Sequence, residues 1–175
     1  GDTPARDLSV EEREQAFRDL DYIKLDLENS TLKPAIDAVM THASRLEHCW
    51  VVSTISPESK GDGSFPCVPV LVRYLKDEKG LDCDFHDQLE YSIPMHDDAQ
   101  VTTKTRDLIE TIFKEAINKG LDEKEVIADF TSGVRSMTLG MILACLDKNR
   151  DIQFQGTRYN EKAEPIQGQL FPILF

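Results

Sequence analysis

The sequence lacks any Cys-x-x-Cys pair. Its four cysteines, Cys49, Cys67, Cys83 and Cys145, are widely spaced, and three lie in or beside apolar runs. That is the pattern of buried free thiols in a reducing cytoplasm, not of a disulfide or zinc framework. It also lacks an apolar run long enough to span a bilayer, and a secretory leader. Basic residues are few: 20 Lys and Arg stand against 32 Asp and Glu, a net charge of −12. This argues against a protein that grips long DNA or RNA mainly by a basic surface, but not against one that holds a small anion with local amides and one or two cations. Two phosphate fingerprints are missing as well. There is no Gly-Lys-Ser/Thr of a Walker A loop and no Gly-x-Gly-x-x-Gly after the first strand, which argues against ordinary NTP hydrolysis and NAD binding. The four histidines, His42, His48, His86 and His96, show no metal-ligand spacing, so no metal and no cofactor is expected. Repeats and low-complexity stretches are absent.

What is present suits one domain of ordinary size with a real core: 175 residues, 40% apolar and 30% charged. The chain starts Gly-Asp-Thr-Pro without an initiator Met, and the expectation is an excised fragment.

The N-terminal part reads as helical, as a lead spanning 1–47. Ser9-Val-Glu-Glu12 is a capping box, followed by a charged helix to about Tyr22 with Val10, Phe17 and Leu20 on one side. A dimer arm, a linker and a surface helix all stay open for it. After a break at Asp26–Asn29, Ser30 caps a second helix, with Leu32, Ile36, Val39, Met40, Ala43 and Leu46 at helical spacing to near His48.

From there to the end (48–175), strands and helices alternate. Cys49–Ile55 is a continuous apolar strand running into a small-residue loop, Ser56 to Ser64. A helix follows through Val68, Leu71, Val72 and Leu75 and stops at Gly80. Leu81–His86 is a short second strand. Asp87–Gln100 is irregular and acidic, with Ile93-Pro-Met as an edge piece. There His86 and His96 read as solvated, with a metal or acid–base role as the alternative. Val101–Lys119 is an amphipathic helix (Leu108, Ile109, Ile112, Phe113, Ala116, Ile117). Val126–Phe130 is a strand, Val134 to about Leu146 a nearly all-apolar helix, Asp151–Tyr159 an alternating strand, and Gln169–Phe175 a last apolar run. This order implies an α/β fold: a Rossmann-like, mainly parallel sheet with helices on both faces, preceded by the N-terminal helices. Ligands of such sheets sit beyond the carboxyl ends of the strands. Two strand ends here are polar and small, Ser53-Thr54-Ile55-Ser56 and Asp129-Phe-Thr-Ser-Gly133, and they are expected to meet at one crevice.

The second of these ends carries the chemistry. A strand that stops in Thr131-Ser132-Gly133 and feeds straight into a helix aims backbone N–H groups at one point, with the helix dipole behind them. Asp129, Thr131, Ser132, Gly133, Arg135 and Ser136 offer hydroxyls, amides and a cation within eight residues, a set that suits phosphate. Asp129 is better placed to fix the turn or to accept from a ligand hydroxyl. The competing reading is that Asp129 and Thr131 merely cap the helix and Arg135 is a solvated first-turn residue. Ser53, Thr54 and Ser56, with Lys60 nearby, form a similar but weaker set, and Thr157 with Arg158 a third.

Asp129-Phe-Thr-Ser-Gly-Val-Arg-Ser-Met137 resembles the signature turn of CARF domains, the ligand-sensing domains of type III CRISPR accessory proteins, whose usual pattern is Asp-x-Thr-Gly-Gly-Thr-Lys-x-Met. Asp129, Thr131, Gly133 and Met137 match in place. Ser132 replaces Gly and Arg135 replaces Lys. Ser53-Thr54-Ile-Ser56 is similar to the family's other ligand loop, so the resemblance covers roughly Cys49 to Phe175. It implies a Rossmann-like homodimer holding a cyclic oligoadenylate, most often the tetra-adenylate, at a two-fold site. Thr131, Ser132, Gly133, Arg135, Ser136 and Met137 would lie on one side, with Ser53, Thr54 and Ser56 opposite. It further implies antiviral defence through an effector outside this sequence: a nuclease, a transcription factor, a protease or a membrane element. The domain would then work on the cytoplasmic side, anchored to the inner membrane where the effector spans it. A missing N-terminal region could raise the oligomeric state. The favoured role is a sensor that is not itself an enzyme. The alternatives are a ring nuclease, in which a ribose 2′-OH attacks the adjacent phosphate without a metal, and an unrelated nucleotide-binding Rossmann domain.

Overall fold

The computed structural model describes residues 8–56 and 63–174, with only the backbone described for 157–159 and 165–174. The chain divides between His96 and Asp97 into two compact units, and each is described by itself.

In the first unit, the Ser9 capping box forms as the sequence suggests. Ser9 Oγ accepts the Glu12 N–H at 3.2 Å, and the Glu12 carboxylate accepts the Ser9 N–H at 2.9 Å. It opens α1 (Val10–Arg18), which is shorter than predicted. Leu20 and Asp26, both at positive φ, punctuate the chain around α2 (Tyr22–Leu25) and a short 3-10 turn (Leu27–Asn29). Next comes α3 (Lys33–Met40). It does not start on Ser30 and does not reach His48: its N-cap is Leu32, and 41–45 are turns. The apolar period continues past it, because Ala43 in those turns and Leu46 just after them still pack on the core. The helical lead is therefore not peripheral. Ala16, Leu25, Leu27 and Ile36 share one core with Val70, Leu71, Tyr74 and Leu75 of α4 (Val68–Asp77). Glu28 fastens the two parts: its carboxylate takes the Tyr74 hydroxyl, Lys79 and Lys33.

The predicted strand 49–55 is two pieces, β1 (His48–Trp50) and β2 (Ser53–Ile55). Each pairs in parallel, β1 with β3 (Asp84–His86) and β2 with β4 (Ser92–Pro94). The cause lies in the neighbouring strands and not in the apolar run. Between the two ladders, residues 51–52 face 87–91, two against five, and the excess coils into the 3-10 turn Leu89–Tyr91. Sequence periodicity along 49–55 carries no sign of an insertion on the opposite strand.

In the second unit, α5 (Asp98–Asn118) is capped by Asp97, whose carboxylate accepts the Gln100 N–H at 3.0 Å. It packs on α6 (Arg135–Leu146) at very close range. A Cβ on Gly140 would stand 2.4 Å from the Thr102 carbonyl oxygen and 2.8 Å from Thr105 Cβ, so only glycine lets these helices meet there. Thr102 adds a bond from its hydroxyl to the Ser136 carbonyl, 3.1 Å. At the other end of α6, Arg150 lies 4.0 Å over the Phe113 ring and binds Glu110, Glu123 and the Ala144 carbonyl. The sheet of this unit runs β5 (Ile127–Asp129), β6 (Asp151–Tyr159), β7 (Pro165–Leu174). β5 and β6 are parallel, and β7 is antiparallel to β6 and longer than the run 169–175 predicted. Phe175 lies outside the described residues.

The chain is thus a mixed α/β protein with short parallel ladders in small sheets. Among the described residues no helix is long and apolar enough to cross a membrane.

Candidate functional site

Five residues separate the end of β5 from the start of α6, and Asp129 organises the turn they make. Its carboxylate accepts the Thr131 N–H at 2.9 Å, the Thr131 hydroxyl at 3.0 Å and the Gln153 side-chain amide at 3.0 Å. Thr131 Oγ1 in turn accepts the Gln155 N–H at 2.9 Å, and the Phe130 N–H reaches the Gln153 carbonyl at 3.0 Å. So Asp129 fixes the turn, and the single proton of Thr131 is committed to it. Neither residue caps α6: the N-cap is Val134, with no side-chain hydrogen bond.

That arrangement frees the donors that follow. Gly133 sits at φ +113°, outside the region L-residues favour, and swings the chain into the helix. The first intrahelical bond runs from Thr138 N–H to the Val134 carbonyl. Among the described residues, none takes up the backbone N–H groups from Ser132 to Met137. Orphan amides at a helix start, with the dipole aligned behind them, favour an anion. Ser132, Gly133 and Arg135 are exposed, and Arg135 makes no ion pair among the described residues. Ser136 and Met137 are buried at 7% exposure each, and Ser136 Oγ has no hydrogen-bond partner among the described residues.

The first unit holds the other predicted set, and it is built differently. Ser53 is buried, and its hydroxyl pairs across the ladder with that of Ser92 at 2.6 Å. Thr54 and Ser64 form a reciprocal clasp: each backbone N–H reaches the other's hydroxyl at 2.9 Å. Gly63, at φ +123°, is part of that clasp, since a Cβ there would be 2.5 Å from the Thr54 carbonyl oxygen. Ser56 is half-buried. Lys60 and the side chains of Thr157 and Arg158 lie outside the described residues.

Sequence reasoning missed two groups. Gln153 and Gln155 complete the turn from β6, and their alternation along that strand was the available signal. From the sequence His86 reads as a solvated loop residue. It is instead half-buried on β3, its ring stacked 4.4 Å from Trp50 and its Nε2 at 3.2 Å from His48 Nδ1. The four cysteines are free thiols, and Cys145 alone is fully buried. Burial pushes Cys49 up to about 12 and Cys145 to about 11, so neither is a ready nucleophile near neutrality. Among the described residues no group of three His, Cys, Asp or Glu is placed to hold a metal ion.

No family model matches the chain, and no curated protein matches it.

Proposed function

We propose that this chain is a ligand-sensing domain of the CARF type, in which the turn Asp129–Met137 binds a cyclic oligoadenylate, most often the tetra-adenylate. The observation that carries the reading is the unbroken run of N–H groups from Ser132 to Met137 that no described residue takes up, with Arg135, unpaired among the described residues, inside it. Such a nest explains how a chain with a net charge of −12 can hold a polyanion: the attraction is local and directional. Asp129 and Thr131 act by holding the turn in shape. A Rossmann-like fold is the corresponding reading of the parallel ladders β1–β3, β2–β4 and β5–β6.

The reading calls for a homodimer, and the outer face of α6 supports it. Leu139, Leu143 and Leu146 recur at i, i+4 and i+7 and are 51, 46 and 61% exposed. Arg135 stands one turn before Leu139 on the same line. From Phe130 to Leu146 there is no Asp or Glu, so two copies of an otherwise acidic chain can approach there without repulsion. Ligand binding then shifts the dimer, and an effector outside this sequence responds.

The test is a panel of cyclic oligoadenylates of different ring size, with binding followed by calorimetry and the ligand by chromatography. Binding with intact rings supports the sensor. Release of linear product would replace it with a ring nuclease, and no binding to any ring would end both.

A further inference from the structure

Only two buried side-chain polar atoms lack a hydrogen-bond partner among the described residues, Ser136 Oγ and Gln155 Nε2. Buried polar groups in folded proteins are almost always paired, and an exception calls for a reason. Both exceptions flank the same turn. Ser136 is in the first turn of α6, among the free amides. Gln155 is on β6, its backbone N–H tied to Thr131 Oγ1.

The register shows where the Gln155 amide stands. Asp129 is the last residue of β5 and pairs with Gln153. Gln155 is two residues further along β6, level with Thr131 and past the carboxyl end of β5. Side chains alternate along a strand, so Gln155 projects on the face where Gln153 meets Asp129. That rim, beyond the carboxyl end of a parallel strand, is where ligands of such sheets sit.

We propose that Gln155 reads the adenine base of the ligand. This rests on the cyclic oligoadenylate reading above and names the specificity-determining residue of that site. A carboxamide offers one donor edge and one acceptor side by side. Adenine presents the complementary pair: N7 accepts from Nε2, and the N6 amino group donates to Oε1. Guanine presents two acceptors, N7 and O6, on the same edge, and O6 would face Oε1 without a proton between them. Ser136 Oγ is the matching partner for a phosphate or ribose oxygen held at the neighbouring amides. Nε2 is shut off from solvent in the free chain, so the base reaches it by displacing what covers it.

The experiment compares wild type with Gln155→Met, which keeps the length of the side chain and removes the amide, and with Gln155→Glu, which keeps the shape and removes the donor. Each is titrated with cyclic tetra-adenylate and with the same ring built from 7-deaza-adenosine, which lacks the N7 acceptor. Thermal denaturation without ligand runs alongside. The expected result has three parts: wild type binds the deaza ring tenfold or more weakly, both variants lose at least tenfold on the normal ring and no longer tell the two rings apart, and Gln155→Met melts no lower than wild type. If the variants bind like wild type, the base-reading role falls while the sensor reading stands. A clearly lower melting temperature for Gln155→Met would show an amide the fold itself uses, and would also overturn the assignment. If wild type binds no ring, the sensor reading fails and takes this assignment with it.

Discussion

Thr131 donates its hydroxyl proton to Asp129 at 3.0 Å and receives the Gln155 N–H at 2.9 Å, so one side chain links the strand end, the carboxylate and the neighbouring strand. The pair works as a hinge pin for the turn. Asp129→Ala removes the acceptor of three hydrogen bonds at once. It is expected to lower stability by about 1–3 kcal/mol, since donors are left without that acceptor in a half-buried place. Urea denaturation measures this, and ligand affinity should fall in parallel, because the nest loses its shape. A variant as stable as wild type would remove Asp129 from the organisation of the turn.

Gly140→Ala tests the contact between α5 and α6. Alanine is favoured over glycine in a helix by about 1 kcal/mol, which alone would stabilise. The new methyl, however, would lie 2.4 Å from the Thr102 carbonyl oxygen, a backbone atom that cannot rotate away. Overpacking of this kind costs about 1–3 kcal/mol, and the clash is expected to win. The check is a lower denaturation midpoint at an unchanged slope.

How far these features can be read in the sequence differs from place to place. The strand–turn–helix at Asp129–Met137 is fully legible, because polarity, glycine and apolar period change abruptly there. Its internal wiring is not. Nothing in a linear reading says that Thr131 points back at Asp129 and not forward at a ligand, since that depends on Gln153 and Gln155 arriving from β6. The capping box at Ser9 is local and formed as read. The break between Trp50 and Ser53 is invisible because its cause sits on the partner strand. The membership of Ala16 in a core is also hidden: α1 is charged nearly all round, and one small residue buried at 2% exposure leaves little trace in a periodicity.

Acid should loosen the first unit through Glu28. Hydrogen bonds from Lys79 and then Tyr74, with Lys33 beside them, hold its carboxyl down at about 2, against 4.5 for an ordinary glutamate. A folded-state pKa below the unfolded one means the stabilising contribution is fully present above about 4.5 and is lost as the pH falls toward about 2. Glu28 is 38% exposed, so solvent screening keeps the effect modest. The check is the stability of wild type against Glu28→Gln: a difference at pH 6 that shrinks steadily below pH 4.5 and closes near pH 2. A difference independent of pH would assign the role to packing instead.

Self-association should depend on the apolar line along α6. Leu143→Glu places a charge at a position 46% exposed in the free chain, so folding should change by no more than about 0.5 kcal/mol. Two copies meeting face to face would bury that charge, a cost of several kcal/mol per ion. Sedimentation velocity over a range of concentrations is expected to show a dimer for wild type and a monomer for the variant. An identical sedimentation profile would move the interface elsewhere.

Arg135 separates binding from folding. It is exposed and has no ion pair among the described residues, so Arg135→Ala should leave the denaturation midpoint where it is. A charge-assisted contact to phosphate is worth about 1.5–3 kcal/mol. Its loss therefore predicts roughly ten- to a hundredfold weaker binding of cyclic tetra-adenylate. Lysine at this position keeps the charge but not the planar fork of donors, so Arg135→Lys should recover part of the loss and not all of it. Titrations at rising salt sharpen the comparison. Wild-type affinity should fall more steeply than that of Arg135→Ala, because the variant has one fewer screened charge to lose. Parallel salt curves with equal affinities would take Arg135 out of the site and leave its uncharged donors to hold the anion.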